Sequence, residues 1–192
     1  MQQGVKHTIK ENNSYFLTMT VVNWVDIFSR KSVRELVVDS LRYCILNKGL
    51  NVYAYCIMTN HIHMIVNCNE PHQLKDTIRD FKKFVSKGII DYIKYGKESR
   101  RLWMLDIFKQ EAQKSKKHKF YKVWFPRNHA IELYSEKFTW TKVNYIHQNP
   151  VKSGFVRNPE DWVYSSASNY AELESPVLPE VYCLTPRLIT ER

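Results

Sequence analysis

At 192 residues the chain is long enough to bury a full core, and its length fits one domain. Its 44% apolar content is ordinary for a globular protein, but a net charge of +10 and a pI near 9.4 are not, and they call for an anionic partner. No apolar run approaches the roughly 20 residues that span a bilayer, and the first 13 residues lack the apolar stretch of a signal peptide; this predicts no membrane partner and a cytoplasmic, nucleoid-associated protein that meets nucleic acid.

Tyr15 to Val22 is β-branched and aromatic and predicts a strand. Ser32 with Glu35 has the spacing of a capping box, and Val33, Leu36, Val37, Leu41, Cys44 and Ile45 keep helical periodicity until Gly49. Asn51 to Met58 and His61 to Val66 read as two strands of a hairpin joined through Thr59 and Asn60. Pro71 opens a second helix, with Leu74, Ile78, Phe81, Val85 and Ile89 inward and Arg79, Lys82, Lys83 and Lys87 on the outer face. From Lys94 to Lys122 ten Lys or Arg stand against three acids, around the short apolar pattern Leu102, Trp103, Leu105, Ile107, Phe108. That segment reads as a basic helical insert over about 94–120. Tyr121 to Phe125 predicts a fourth strand, and Glu136 to Gln148 a third long helix that Pro150 stops. Residues from about 150 to 192 read as a loop-rich tail. Four cysteines without a CxxC pair are expected to be reduced thiols.

The order of elements predicts one α+β domain over residues 1–192, with an antiparallel sheet covered on one face by helices in the split βαβ arrangement of ferredoxin-like folds.

Two motifs carry chemistry. On a strand, His61 and His63 point the same way, about 6.5–7 Å apart at their backbones, so two imidazoles can converge on one ion. Two histidines alone make a weak site, and an HxH pair on a strand is more often ordinary core or surface histidine than a ligand pair. On a helix, Tyr145 and Asn149 are neighbours, about 5–6 Å apart at Cβ. The Asn149 amide is then a candidate third ligand and the Tyr145 phenol a candidate nucleophile beside the ion. An ion offsets charge on a phosphodiester, and tyrosine can store the cleaved bond as a phosphotyrosine. His147 is turned about 200° from Tyr145 and is set aside. Candidate nucleic-acid contacts are Arg79, Lys82, Lys83 and Lys87 on the second helix, Arg100, Arg101, Lys116 and Lys117 in the insert, and Arg127 in the turn after the predicted fourth strand.

The stretch from Tyr55 to Val66, containing His61-Ile62-His63, resembles the HUH signature (His, bulky hydrophobe, His) of single-tyrosine transposases. Asn144 to Val156, with Tyr145-Ile146-His147-Gln148-Asn149-Pro150-Val151-Lys152, resembles the second signature of the REP-associated tyrosine transposases, and Asp161 to Ala167 resembles the segment that follows it there. The turn before His61 departs from the family pattern: Thr59-Asn60 stands where Pro and an acid are usual. The resemblance implies a ferredoxin-like or RRM-like αβ sandwich with the HUH motif on a central strand. It implies Mg²⁺ or Mn²⁺ held by His61, His63 and Asn149, and Tyr145 as the nucleophile that forms a 5′-phosphotyrosine. The substrate implied is single-stranded or hairpin DNA, and the working form a monomer rather than a dimer. Two other readings fit the residues: a non-catalytic RRM-like nucleic-acid-binding module, and a metal-dependent nuclease that acts through water.

Overall fold

A computed structural model describes residues 13–114, 119–126, 128–174 and 176–185. Strand β1 (Tyr15–Thr20) leads through two 3-10 turns to helix α1 (Lys31–Asn47). The hairpin β2 (Leu50–Ile57) and β3 (His61–Cys68) follows, then α2 (Leu74–Tyr95), α3 (Arg101–Gln113), β4 (Ile131–Glu132), α4 (Glu136–Lys152) and the short α5 (Ala167–Tyr170). The strands form one antiparallel sheet in the order β2-β3-β1-β4. This interleaved order is that of the split βαβ fold, and it puts β3, with the two histidines, inside the sheet.

Alternation divides the sheet into two faces. Leu17 and Met19 of β1, Tyr55 and Ile57 of β2, and Ile62, Met64 and Val66 of β3 join the core under α1 and α2. Phe16, Ala54, Cys56, Met58 and Ile65 point the other way and pack against Val143 and Ile146 of α4. Helices therefore cover both faces rather than the single face expected. A shift in pairing between Val52 and Ala54 marks a bulge in β2, and Tyr53 and Ala54 both end on the α4 side.

Several boundaries differ from the sequence expectation. Helix α1 starts at Lys31 with Arg30 at its N-cap and no side-chain cap, so Ser32 lies inside the first turn and the capping box does not form. Gly49 does follow that helix in a left-handed conformation (φ 60°), where a Cβ would sit 2.9 Å from the Asn69 carbonyl oxygen. The fourth strand is Ile131–Glu132, not Tyr121–Phe125; the earlier segment runs beside the end of β1, but only Trp124 bridges, to Val21. Pro150 does not stop α4, which continues to Lys152. Proline gives up one bond to the preceding turn, and Pro150 sits close enough to the helix end that the buried Ile146 and Val143 hold that turn in place.

The tail after α4 is knitted to the free edge of β2. Ser165 bridges to Cys56, the Ile57 N–H donates to the Tyr164 carbonyl at 2.9 Å, and the Trp162 indole donates to the Ile57 carbonyl at 3.1 Å. Ser166 Oγ accepts from the Tyr55 N–H at 2.9 Å and lies 2.8 Å from His147 Nε2, which ties α4 to the same edge. All four cysteines are free thiols.

Candidate functional site

Both histidines of β3 face α4, beside Ile65. Their ring centroids are 4.7 Å apart. Each ring has its Nδ1 occupied by a neighbour. The Asn60 side-chain N–H donates to the Trp24 carbonyl at 3.3 Å, which leaves Asn60 Oδ1 to accept from His61 Nδ1–H at 2.7 Å. Asn60, the last residue of the β2–β3 turn, is thus the one that orients His61. Thr18 stands opposite His63 in the β1–β3 register, and its Oγ1 lies 2.9 Å from His63 Nδ1. The Asn60 oxygen only accepts, so it sets the His61 tautomer and leaves Nε2 as the ligating atom; the Thr18 hydroxyl holds the His63 ring plane and accepts from Nδ1–H in the tautomer that leaves Nε2 free to ligate.

His63 Nε2 is buried and has no hydrogen-bond partner among the described residues. An orphaned buried polar atom costs roughly 1–3 kcal/mol, and a bound cation is the chemistry that would satisfy an imidazole lone pair. Burial, helped by the charges of His61 and Lys142, pushes His63 down to about 3. Burial also lowers His61, opposed by a hydrogen bond with the Asn149 side chain. Both rings are therefore neutral near pH 7, the form that ligates metal. Among the described residues no three His, Cys, Asp or Glu side chains gather as an ion site. The donors on offer are the two imidazoles and the Asn149 amide, which is an oxygen ligand suited to a hard divalent ion.

Helix α4 delivers the phenol. The Tyr145 ring stands edge-on to His63, with centroids 5.2 Å apart, and edge-on to Phe16 at 5.8 Å. Phe16 also stacks on His63 at 5.5 Å, so one aromatic ring of β1 braces both the imidazole and the phenol. Tyr145 is 40% exposed, open to a substrate from the solvent side. Lys142, one turn before it, holds its ammonium 4.8 Å from the Phe16 centroid and 5.6 Å from that of Tyr145. His147 is buried on the opposite side of α4, where burial takes it down to about 4.

The structure brings His61, His63, Tyr145 and Asn149 to one place. Sequence reading missed Thr18, Asn60, Phe16 and Lys142. The signals were faint but present: a threonine on the alternating face of β1, and a lysine one helical turn from the tyrosine.

The candidate basic contacts are more dispersed. Arg79 is paired with Asp76 and Asp80. Lys82 is turned inward, donating to Asn128 Oδ1 at 2.7 Å, and burial lowers it to about 8. Arg100 pairs with Asp26 at 2.6 Å and with Glu98, whose carboxyl is held at about 2, first by the Arg30 hydrogen bond. These three have protein partners in place of phosphate. Lys83 and Lys87 are exposed, as is Arg101, whose guanidinium also donates to the Gly96 carbonyl at 2.8 Å. Lys116, Lys117 and Arg127 lie outside the described residues. A cavity of about 490 Å³ opens between α2 and residues 121–126 with Asn128, and Lys75, Arg79, Lys82 and Lys83 are in its lining.

A family model described as IS200-like transposase matches residues 10–111, more than half of the chain. The chain belongs to the IS200-like transposase family. The matched stretch takes in β1 through most of α3 and both histidines of this transposase, and ends before the helix that bears Tyr145. Among solved structures, that of a REP-associated tyrosine transposase bound to a REP hairpin is similar at 18% identity, covering 100% of this chain and 98% of that one, with a TM-score of 0.59. At that identity the likeness is one of fold. A candidate transposase from Deinococcus radiodurans R1 is similar at 15% identity over 78% of this chain and 97% of that one, with a TM-score of 0.42. No curated protein matches the chain. No helix among the described residues is long and apolar enough to cross a membrane.

Proposed function

We propose that this transposase cuts and rejoins single-stranded DNA folded as a hairpin, by transesterification through Tyr145. The observation that carries the reading is the phenol ring 5.2 Å from an imidazole whose buried Nε2 has no protein partner. His61, His63 and Asn149 would hold a Mg²⁺ or Mn²⁺ ion. When bound, such an ion neutralises charge on a phosphoryl oxygen. The chain's own residues do the rest. Asn60 and Thr18 keep the imidazoles turned inward, Phe16 braces the phenol, and Val143 and Ile146 seat the helix that delivers it. Tyr145 attacks the phosphorus, a 5′-phosphotyrosine forms, and the 3′ oxygen leaves as a hydroxyl. The stored bond then permits rejoining to another 3′ end.

The hairpin partner is inferred from the transposase family and from the REP hairpin bound by the structurally similar protein. Exposed Lys83, Lys87 and Arg101, with the overall charge of +10, suit a phosphate backbone. The test uses end-labelled hairpins with single-stranded flanks, incubated with the protein and Mn²⁺ or Mg²⁺. A covalent protein–DNA adduct is expected, absent in Tyr145→Phe and in His63→Ala. Cleavage that survives Tyr145→Phe would favour a water-using nuclease. Binding with no metal-dependent product would favour a plain nucleic-acid-binding module.

A further inference from the structure

Lys142 lies one turn before Tyr145 on the same side of α4. Its ammonium is within 4.8 Å of the Phe16 ring centroid, 5.3 Å of Phe138 and 5.6 Å of Tyr145. All three distances fall inside the range of about 6 Å in which a cation is drawn to an aromatic ring. An aliphatic stem of this kind is usually free to swing its charge into water. Here the side chain is only partly exposed, and the rings hold the charge over the site. Phe16 touches Lys142, Tyr145 and His63 together. The ammonium therefore stands one ring away from both the nucleophile and the imidazole pair.

A fixed positive charge beside groups shaped to receive a cation is unfavourable without an anion between them. A phosphodiester is such an anion. We propose that Lys142 is a catalytic residue that donates a hydrogen bond to a non-bridging oxygen of the phosphate attacked by Tyr145. The inference rests on the reading of Tyr145 as nucleophile. In the step concerned, the bond from Tyr145 Oη to phosphorus forms and the bond from phosphorus to the 3′ oxygen breaks. The proton lost from the phenol is matched by one gained at the released 3′ oxygen. Negative charge grows on the non-bridging oxygens as the phenolic oxygen arrives, and a positioned ammonium stabilises that charge more than it does the resting diester. The aromatic contacts explain how a flexible lysine is kept ready for this.

The experiment is single-turnover adduct formation on a labelled hairpin at saturating DNA in Mn²⁺. Wild type, Lys142→Met and Lys142→Arg are compared, with hairpin affinity measured in parallel. Lys142→Met is expected to slow adduct formation on the order of 100-fold, the usual cost of removing one donor to developing charge, while hairpin affinity changes little. Lys142→Arg, which keeps the cation, should recover most of the rate. A methylphosphonate at the scissile position carries no charge to stabilise, so on that substrate the gap between wild type and Lys142→Met should largely close. An unchanged rate in Lys142→Met would overturn the inference. So would a defect of equal size on phosphodiester and methylphosphonate, since that would mark a packing role. A Tyr145→Phe protein that still forms the adduct would remove the tyrosine reading and this inference with it.

Discussion

The hydroxyl of Thr18 reaches His63 Nδ1 at 2.9 Å, and the ring it steadies has its other nitrogen buried and unpaired. Removing such a support usually costs metal affinity about 10- to 100-fold. Thr18→Val, close in shape, should weaken Mn²⁺ uptake by that amount in a calorimetric titration while leaving thermal stability nearly unchanged. Equal affinity in the variant would show that the contact does not orient the ring. The same buried imidazoles shape the response to acid. His63 is held at about 3 and His147 at about 4, against an ordinary value of 6.5. In the folded protein these rings stay neutral, while the unfolded chain takes up protons below about 6.5, so acid favours unfolding. Stability should fall as pH drops from about 6.5 towards 4, by up to about 1.4 kcal/mol per pH unit for each such ring. Chemical denaturation at a series of pH values, in the presence of a chelator, measures this. A flat profile across that window would contradict the burial of neutral histidine.

At the level of elements, the tyrosine is only as well placed as its helix. Ile146 is fully buried between α4 and the sheet and belongs to the smaller of the two cores. Truncating a buried isoleucine to alanine costs roughly 2–5 kcal/mol. Ile146→Ala should lower stability within that range and slow adduct formation more than it weakens hairpin binding, because it loosens the seat of Tyr145 without touching DNA. Full activity in Ile146→Ala would show that the core under α4 does not position the phenol. Much of this architecture was legible beforehand. The β-branched and aromatic run of β1 and the apolar run of β3 named those strands, and the spacing of Leu74, Ile78, Phe81, Val85 and Ile89 named the inward residues of α2 correctly. The side on which α4 packs was not foreseen. Yet β3 carries Ile62, Met64 and Val66 on one face and Ile65 on the other, and a strand apolar on both faces must be covered twice. The two-residue β4 was illegible because so short a strand has no pattern of its own; its pairing with Tyr15 and Phe16 defines it. That His61 shares a face of β3 with His63, and Tyr145 a side of α4 with Asn149, was readable because strand and helix periods fix which residues stand together. Lys142 was not, since its importance comes from rings contributed by β1 and by its own helix.

For the molecule as a whole, the charge of +10 is unevenly available. Lys82 and Arg100 are tied to partners within the protein, Arg79 is exposed in surface pairs with Asp76 and Asp80, and Lys83 and Lys87 are exposed. Hairpin affinity should fall steeply with salt, and Lys83→Ala should reduce the slope of log affinity against log salt by about 0.7–0.9. Lys82→Ala should disturb stability more than that slope, and a fluorescence titration over several salt concentrations separates the two. An unchanged slope in Lys83→Ala would place the DNA elsewhere on the surface. The strap between the tail and β2 bears on how many molecules a single event needs. Ser166 holds His147 of α4 at 2.8 Å and the Tyr55 N–H at 2.9 Å, and Trp162 adds a third tie to Ile57. Lending Tyr145 to a neighbouring copy would mean undoing that stitching along a whole strand edge. A protein so fastened to itself should react with first-order dependence on its own concentration, and diluting it with a Tyr145→Phe partner should reduce the yield only in proportion to the active fraction.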